Sequence, residues 1–276
     1  MSNLIKRSLS GIIYVLVFVG CIIFGASSYC VLFAVVTALA LNEWSELIAD
    51  NNLGTVNNLV TTISGVYLFL ALFCICMGTV GPVIFLPYLL SILFIFISEL
   101  YQKRPQPIAN LAYTFIGQIY IALPFSLLNL LAIREPGIYS AKLPLAVFIF
   151  LWINDSGAYC FGSILKKKFP YKLFERISPH KTWVGSIGGG IVVLLTAIIF
   201  STFDADFSLL WWLGLGAIVA IFATWGDLIE SMMKRQLGIK DSGKFLPGHG
   251  GVLDRFDSAL LAIPASVIYV YSTLTL

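Results

Sequence analysis

The amino-acid sequence predicts an all-α polytopic membrane protein of about nine transmembrane helices with its N-terminus in the cytoplasm, and three observations carry that expectation. The first is composition: of 276 residues 59% are hydrophobic and 11% charged, and the mean hydropathy of +0.93 exceeds what a water-soluble core needs. The second is length. Apolar runs of the roughly 20 residues that cross about 30 Å of hydrocarbon as helix recur along the whole chain, without the alternation of a barrel strand. The third is the placement of Lys and Arg, which cytoplasmic loops retain.

The runs cover residues 9–27, 29–48, 59–77, 83–101, 108–132, 143–164, 184–202, 209–233 and 258–274. With this count, Lys6 and Arg7, Lys103 and Arg104, the basic loop from Lys166 to Lys181 and the loop from Lys234 to Arg255 share one side, and only Arg134 and Lys142 fall opposite. The first run follows two cations and ends in small residues, as a signal peptide does, but is expected to stay uncleaved. No repeat or low-complexity tract interrupts the chain, so a single integral membrane domain is expected over residues 1–276, its catalytic half at about 143–276. The expected location is the cell (cytoplasmic) membrane. All five cysteines lie inside the runs without metal-ligand spacing and read as small core hydrophobes. A net charge of +3 gathered on the cytoplasmic face suits anionic lipid headgroups or a polyphosphate, and nothing resembles a nucleic-acid module.

Polar residues stand out against this background. Glu43 and Glu46 sit one helical turn apart beside Trp44, and read either as an interfacial helix end anchored by the indole or as the wall of a cavity. In the sixth run an unpaired Asp155 would cost several kcal/mol, so the Asn154-Asp155 pair faces a cavity, a cation or a basic partner, unless it serves helix packing; Gly157 permits close approach. The lysines from Lys166 to Lys172 with Arg176 read as a topology signal and headgroup contact. Ser178-Pro179-His180-Lys181-Thr182-Trp183 then runs into Gly185 and Gly188 to Gly190, a helix start whose amides suit phosphate oxygens, although no GxxxxGK[ST] loop is present.

On the eighth run Asp227, Glu230 or Ser231, and Lys234 share one helix face, as an internal salt bridge or as part of a site. Beyond Gly238 the chain becomes a loop with Lys240, Asp241, Lys244, Pro247, His249, Gly250 and Gly251, and enters the last run through Asp254, Arg255 and Asp257. Asp254 and Asp257 fall on one side of a first helical turn, where acids are favoured and oxygens converge on a hard cation. Carboxylates without a Cys or His cage point to magnesium. His249 alone reads more simply as hydrogen-bonded scaffold.

The stretch from Ser231 to Asp257 resembles the signature of the phosphatidate cytidylyltransferases, the CDP-diacylglycerol synthases. Ser231, Lys234, Arg235, Lys240, Asp241, Gly243, Leu246, Pro247, His249, Gly250, Gly251, Asp254, Arg255 and Asp257 fill its fixed positions. The blocks at Asn154 to Tyr159 and Ser178 to Trp183 resemble the family's other two. The resemblance covers about Trp152 to Asp257, and the first half matches mainly in hydropathy. Two positions depart: His180 stands where the family has Lys, and Val184 where Glu is common.

The resemblance implies transfer of CMP from CTP to phosphatidate, giving CDP-diacylglycerol and pyrophosphate, with magnesium and in some members potassium. It implies metal ligation by Asp227 and Asp254, with Asp155 and Asp257 as additional ligands or as supports for the ligands. Lys181, Lys234 and Arg255 would neutralise phosphates, with Ser178, Thr182, Ser231, Arg235, Lys240, His249, Gly250 and Gly251 binding substrate. A homodimer and lateral entry of the lipid substrate from the bilayer complete the expectation. The alternatives are a CTP-dependent lipid kinase, a cytidylyltransferase for another lipid phosphate, and a transporter, which no inverted repeat or paired broken helices support.

Overall fold

The computed structural model describes residues 3–239, 242–243 and 250–274. Among these, nine apolar helical segments follow one another: α1 Asn3–Ile23, α2 Ala26–Asp50, α3 Asn58–Cys76, α4 Leu86–Tyr101 behind a 3-10 turn at Pro82–Phe85, a segment of α5 Pro107–Gly117 and α6 Leu123–Ala132, α7 Lys142–Leu165, α8 Trp183–Phe203, α9 Leu209–Gln236 and α10 Leu253–Leu274. A π turn at Gln118–Ala122 joins α5 to α6 without breaking the segment. Eight segments are long and apolar enough to cross a membrane, and α1 carries a shorter apolar stretch, Gly11–Ile23. The protein is a multi-pass helical membrane protein.

Helix ends follow local chemistry. Gly25, at φ 138°, separates α1 from α2, so the first run stops earlier than its hydropathy suggests. Asn57 and Ser208 cap α3 and α9 by accepting from Val60 N–H at 3.3 Å and Trp211 N–H at 3.2 Å. Lys234 and Arg235 occupy the last turn of α9, where cations complement the helix dipole.

The basic loop after α7 carries a short hairpin: β1 Lys172–Phe174 pairs antiparallel with β2 Ser178–Thr182, with Lys172 opposite Thr182 and Phe174 opposite Ser178. The strands are short, one contains Pro179, and the ladder is irregular between Lys172 and Phe174, so no alternating pattern announces them. The reading of all five cysteines as core fails in part, since Cys76 is buried whereas Cys160 is exposed.

The chain forms two compact units, Met1–Leu143 with Asp241–Arg255, and Pro144–Lys240 with Phe256–Leu276. In the first, α3 packs between α2 and α6 around buried Tyr29, Phe33, Phe69 and Phe125, with the Tyr29 and Phe33 rings 5.0 Å apart. Asn129 donates to the Phe69 carbonyl at 3.1 Å, which matters because hydrocarbon offers a polar group no other partner. In the second, α8 runs along α9, and Phe150, Phe200 and Trp212 interlock, Trp212 donating its indole N–H to Asp204 at 3.0 Å. Lipid is as apolar as these side chains, so close packing and polar pairing hold such helices together.

Candidate active site

Within the second unit, glycines set the spacing on which the site depends. A Cβ at Gly189 of α8 would lie 2.6 Å from the Asn154 carbonyl of α7, and one at Gly185 would lie 2.8 Å from the Ala158 carbonyl. A Cβ at Gly157 would meet the Gly189 Cα at 3.0 Å. The glycine-rich start of α8, expected as a phosphate cradle, therefore serves close packing against α7. Two of its first amides are also taken: Trp183 N–H donates to the Tyr171 carbonyl at 3.1 Å, and Thr182 caps α8, its hydroxyl oxygen accepting from Gly185 N–H at 3.2 Å. Thr182→Ala should cost about 1 kcal/mol of stability, the usual worth of such a cap, and leave the Michaelis constants for both substrates unchanged. Thermal unfolding and initial rates on the same preparation check this.

Between α9 and α10 the approach is equally close, since a Cβ at Gly226 would lie 2.6 Å from the Asp257 carbonyl. This brings the next residue of α9, Asp227, into a charged cluster. Lys181 of β2 forms an ion pair with Asp227, and Ser231 donates its hydroxyl to the same carboxylate at 3.2 Å. The Asp227 charge bears on Asp155 of α7 and on Asp257 of α10, Lys181 also bears on Asp155, and Lys234 on Asp257. Lys234 itself pairs with the buried Glu230 one turn back, at 2.5 Å. Asp257 accepts from Ser258 N–H at 2.5 Å, and Arg235 ties the end of α9 to the hairpin by donating Nε–H to the Ile177 carbonyl at 3.4 Å. Three segments distant in sequence thus place carboxylates and a lysine around Asp227.

Within the first unit lies the end of the glycine-rich loop. Gly250 needs its φ of 82°, which L side chains rarely adopt. Asp254, in the first turn of α10, accepts from Gly251 N–H at 2.8 Å and from Ser242 N–H at 3.0 and 3.1 Å to its two oxygens. Glu43 of α2 reaches the same segment: it accepts from Val252 N–H at 2.7 Å, from Leu253 N–H at 3.1 Å and from the Ser242 hydroxyl. The interfacial reading of this helix end is corrected. Glu43 is 7% exposed, and Trp44, 5% exposed, donates its indole N–H to the Tyr113 carbonyl at 2.9 Å.

The remaining expected residues are placed as follows. Ser178 is half-buried opposite Phe174 in the hairpin, and Arg255 is exposed one residue past Asp254. Lys240 and His249 lie outside the described residues. Glu43 was read from the sequence as an interfacial group or a cavity wall, but its partners Ser242, Val252 and Leu253 were not foreseen, because no spacing encodes them.

The donor set suits a hard cation: carboxylate oxygens with a serine hydroxyl, and no thiol or imidazole among the described residues of the cluster. Among the described residues no three His, Cys, Asp or Glu side chains form a ready-made cage. That is compatible with magnesium, which keeps several waters and takes one or two carboxylates plus substrate phosphates. Calcium, by contrast, wants six to eight oxygen ligands.

A multi-pass helical protein that gathers aspartates and lysines into one cluster has the groups with which membrane enzymes act on phosphorylated substrates. Residues 5–273 match the cytidylyltransferase family, and the chain belongs to that family. It is 36% identical over 265 residues to a phosphatidate cytidylyltransferase of Staphylococcus haemolyticus (strain JCSC1435), covering 94% of this chain and 95% of that protein. It is 34% identical over 262 residues to one from Staphylococcus aureus (strain COL), with the same coverage, and 33% identical over 273 residues to one from Staphylococcus epidermidis (strain ATCC 35984), covering 97% and 99%.

Proposed function

We propose that the protein transfers CMP from CTP to phosphatidate, giving CDP-diacylglycerol and pyrophosphate for phospholipid synthesis. Family membership sets the reaction class, and the observation that carries the residue-level reading is the cluster around Asp227. A phosphate oxygen of phosphatidate attacks the α-phosphorus of CTP. The bond from that phosphorus to the bridging oxygen breaks, and pyrophosphate leaves with the electron pair. The nucleophile is already an anion, so no strong base is needed, and the barrier lies in bringing two anions into line.

Groups that neutralise charge carry such a reaction. Asp227 and Asp257 would hold magnesium with support from Asp155, and Asp254, in the first turn of α10, would serve the same reaction. A magnesium ion so held would neutralise phosphate oxygens of CTP. Lys181 and Lys234 meet phosphate oxygens when substrate enters, exchanging their present partners Asp227 and Glu230 for stronger anionic ones. Ser231 keeps Asp227 in its rotamer. Potassium, homodimer formation and residence in the cell membrane belong to the same proposal; light scattering of the detergent-solubilised protein reads the dimer.

The hairpin supplies the lipid side. Exposed Tyr171, Phe174 and Trp183 alternate with Lys172 and Arg176 and follow Lys166, Lys167 and Lys168. Aromatic rings interleaved with cations suit the headgroup layer of an anionic membrane. Reversing Lys166, Lys167 and Lys168 to Glu should raise the apparent KM for phosphatidate in mixed micelles, flatten its salt dependence and leave the KM for CTP unchanged. Initial rates at two ionic strengths check it.

The function itself is tested by pyrophosphate release from the purified protein. Release that requires phosphatidate and CTP together is expected. Release without lipid, or with CTP replaced equally well by any nucleotide, contradicts the reading.

A further inference from the structure

Ser242, Val252 and Leu253, described residues between the end of α9 and the start of α10, are tied to a helix more than 190 residues earlier in the chain by a buried carboxylate. Glu43 receives three donors: the Ser242 hydroxyl, Val252 N–H at 2.7 Å and Leu253 N–H at 3.1 Å. These amides belong to the orphan set at a helix N-terminus, where a negative charge is favoured. The Ser242 hydroxyl, oriented by donating to Glu43, accepts in turn from Asp254 N–H at 3.3 Å, and the Ser242 amide donates to the Asp254 carboxylate. Glu43, Ser242 and Asp254 therefore form one continuous network.

The glycines of the segment fit the same carboxylate. A Cβ at Gly243 would lie 2.8 Å from a Glu43 oxygen, and one at Gly251 would collide with the other. Neither has a positive φ, in contrast to Gly250. Gly243 and Gly251 are thus required by the space Glu43 occupies, whereas Gly238 and Gly250 are required by backbone conformation.

We infer that Glu43 is a positioning residue for the transfer reaction: through Ser242 and the first amides of α10 it fixes the Asp254 carboxylate in the orientation the chemistry uses. The inference rests on the functional reading given above. It extends that reading by bringing α2, in the half of the chain without recognisable motifs, into the catalytic apparatus. A purely structural anchor would show itself in stability alone, whereas a positioning residue acts on the same step as Asp254.

The test uses the full-length protein in lipid nanodiscs and the variants Glu43→Gln, Asp254→Asn and the pair. Gln keeps the shape but turns an amide nitrogen toward donors that need an acceptor. Glu43→Gln is expected to lower kcat about 100-fold, the loss typical of a catalytic group displaced by about an ångström, with the KM for phosphatidate unchanged. The effects on magnesium-dependent CTP affinity, measured by calorimetry, should not add in the double variant. Amide exchange at Val252 and Leu253 should accelerate in Glu43→Gln. Phe33→Ala, a cavity in the same helix far from the network, should lower the unfolding temperature without altering CTP affinity or exchange at these amides.

Additive losses in the double variant, or a Glu43→Gln kcat within threefold of wild type, would overturn the inference. So would a Phe33→Ala variant that reproduces the whole Glu43→Gln profile. Wild-type protein that binds CTP but transfers no CMP would instead sink the functional reading, and the exchange data would then show whether the tie itself exists.

Discussion

Asp227→Asn is expected to reduce turnover by about 1,000-fold, the upper end of what removing one preorganised electrostatic group costs an enzyme. Asp227 is the residue on which the cluster converges: it pairs with Lys181, accepts from Ser231 and bears electrostatically on Asp155 and Asp257. Asparagine keeps the size and one acceptor oxygen, so the Ser231 bond survives while the charge that holds a cation is lost. Folding is expected to survive as well, because Lys181 and Asp227 are 26% and 31% exposed and such a pair is screened by water. Initial rates across a magnesium series, together with the unfolding temperature, check this. An Asp227→Asn enzyme within tenfold of wild type would remove Asp227 from the centre of the mechanism.

Gly189→Leu carries the largest expected effect on structure. Even the first carbon of a side chain would lie 2.6 Å from the Asn154 carbonyl and 3.1 Å from the Ala158 nitrogen, so α7 must move away from α8. Overpacking of this kind typically costs about 1–3 kcal/mol and sometimes more. The adjoining residue of α7 is Asp155, so its carboxylate moves with the backbone. A lower unfolding temperature and near-complete loss of activity are expected. At the neighbouring Gly190 a Cβ would meet only the Ala220 Cβ, at an ordinary van der Waals distance of 3.8 Å, and Gly190→Ala should be close to neutral in both assays. Equal behaviour of the two variants would mean that the spacing of α7 and α8 does not govern the site.

Hydropathy revealed the helical segments because a bilayer imposes its thickness on every span. Asp227, Ser231, Glu230 and Lys234 were legible as one face of a helix because α-helical spacing dictates it, and the structure resolves them into two i,i+4 pairs, Asp227 with Ser231 and Glu230 with Lys234. What could not be read were interactions that no spacing encodes. The pairing of Lys181 with Asp227 depends on a hairpin whose strands are too short and too polar for a periodic signal. The glycines at the start of α8 matched an anion-binding pattern, yet close helix packing demands the same residue for a different reason. Glu43 was visible as an anomaly in an apolar helix, but its partners lie about 200 residues away, and Trp44 beside it imitated an interfacial anchor.

The central claim is that this protein moves CMP, and not a terminal phosphoryl group, onto a lipid phosphate. It is tested most directly by offering the purified protein phosphatidate, magnesium and CTP labelled at either the α- or the γ-phosphate, and following the label into the lipid fraction. Cytidylyl transfer predicts that α-label enters the lipid while γ-label leaves as pyrophosphate. Lipid carrying γ-label would identify a CTP-dependent lipid kinase and contradict the account, and lipid carrying neither would deny phosphatidate as the acceptor.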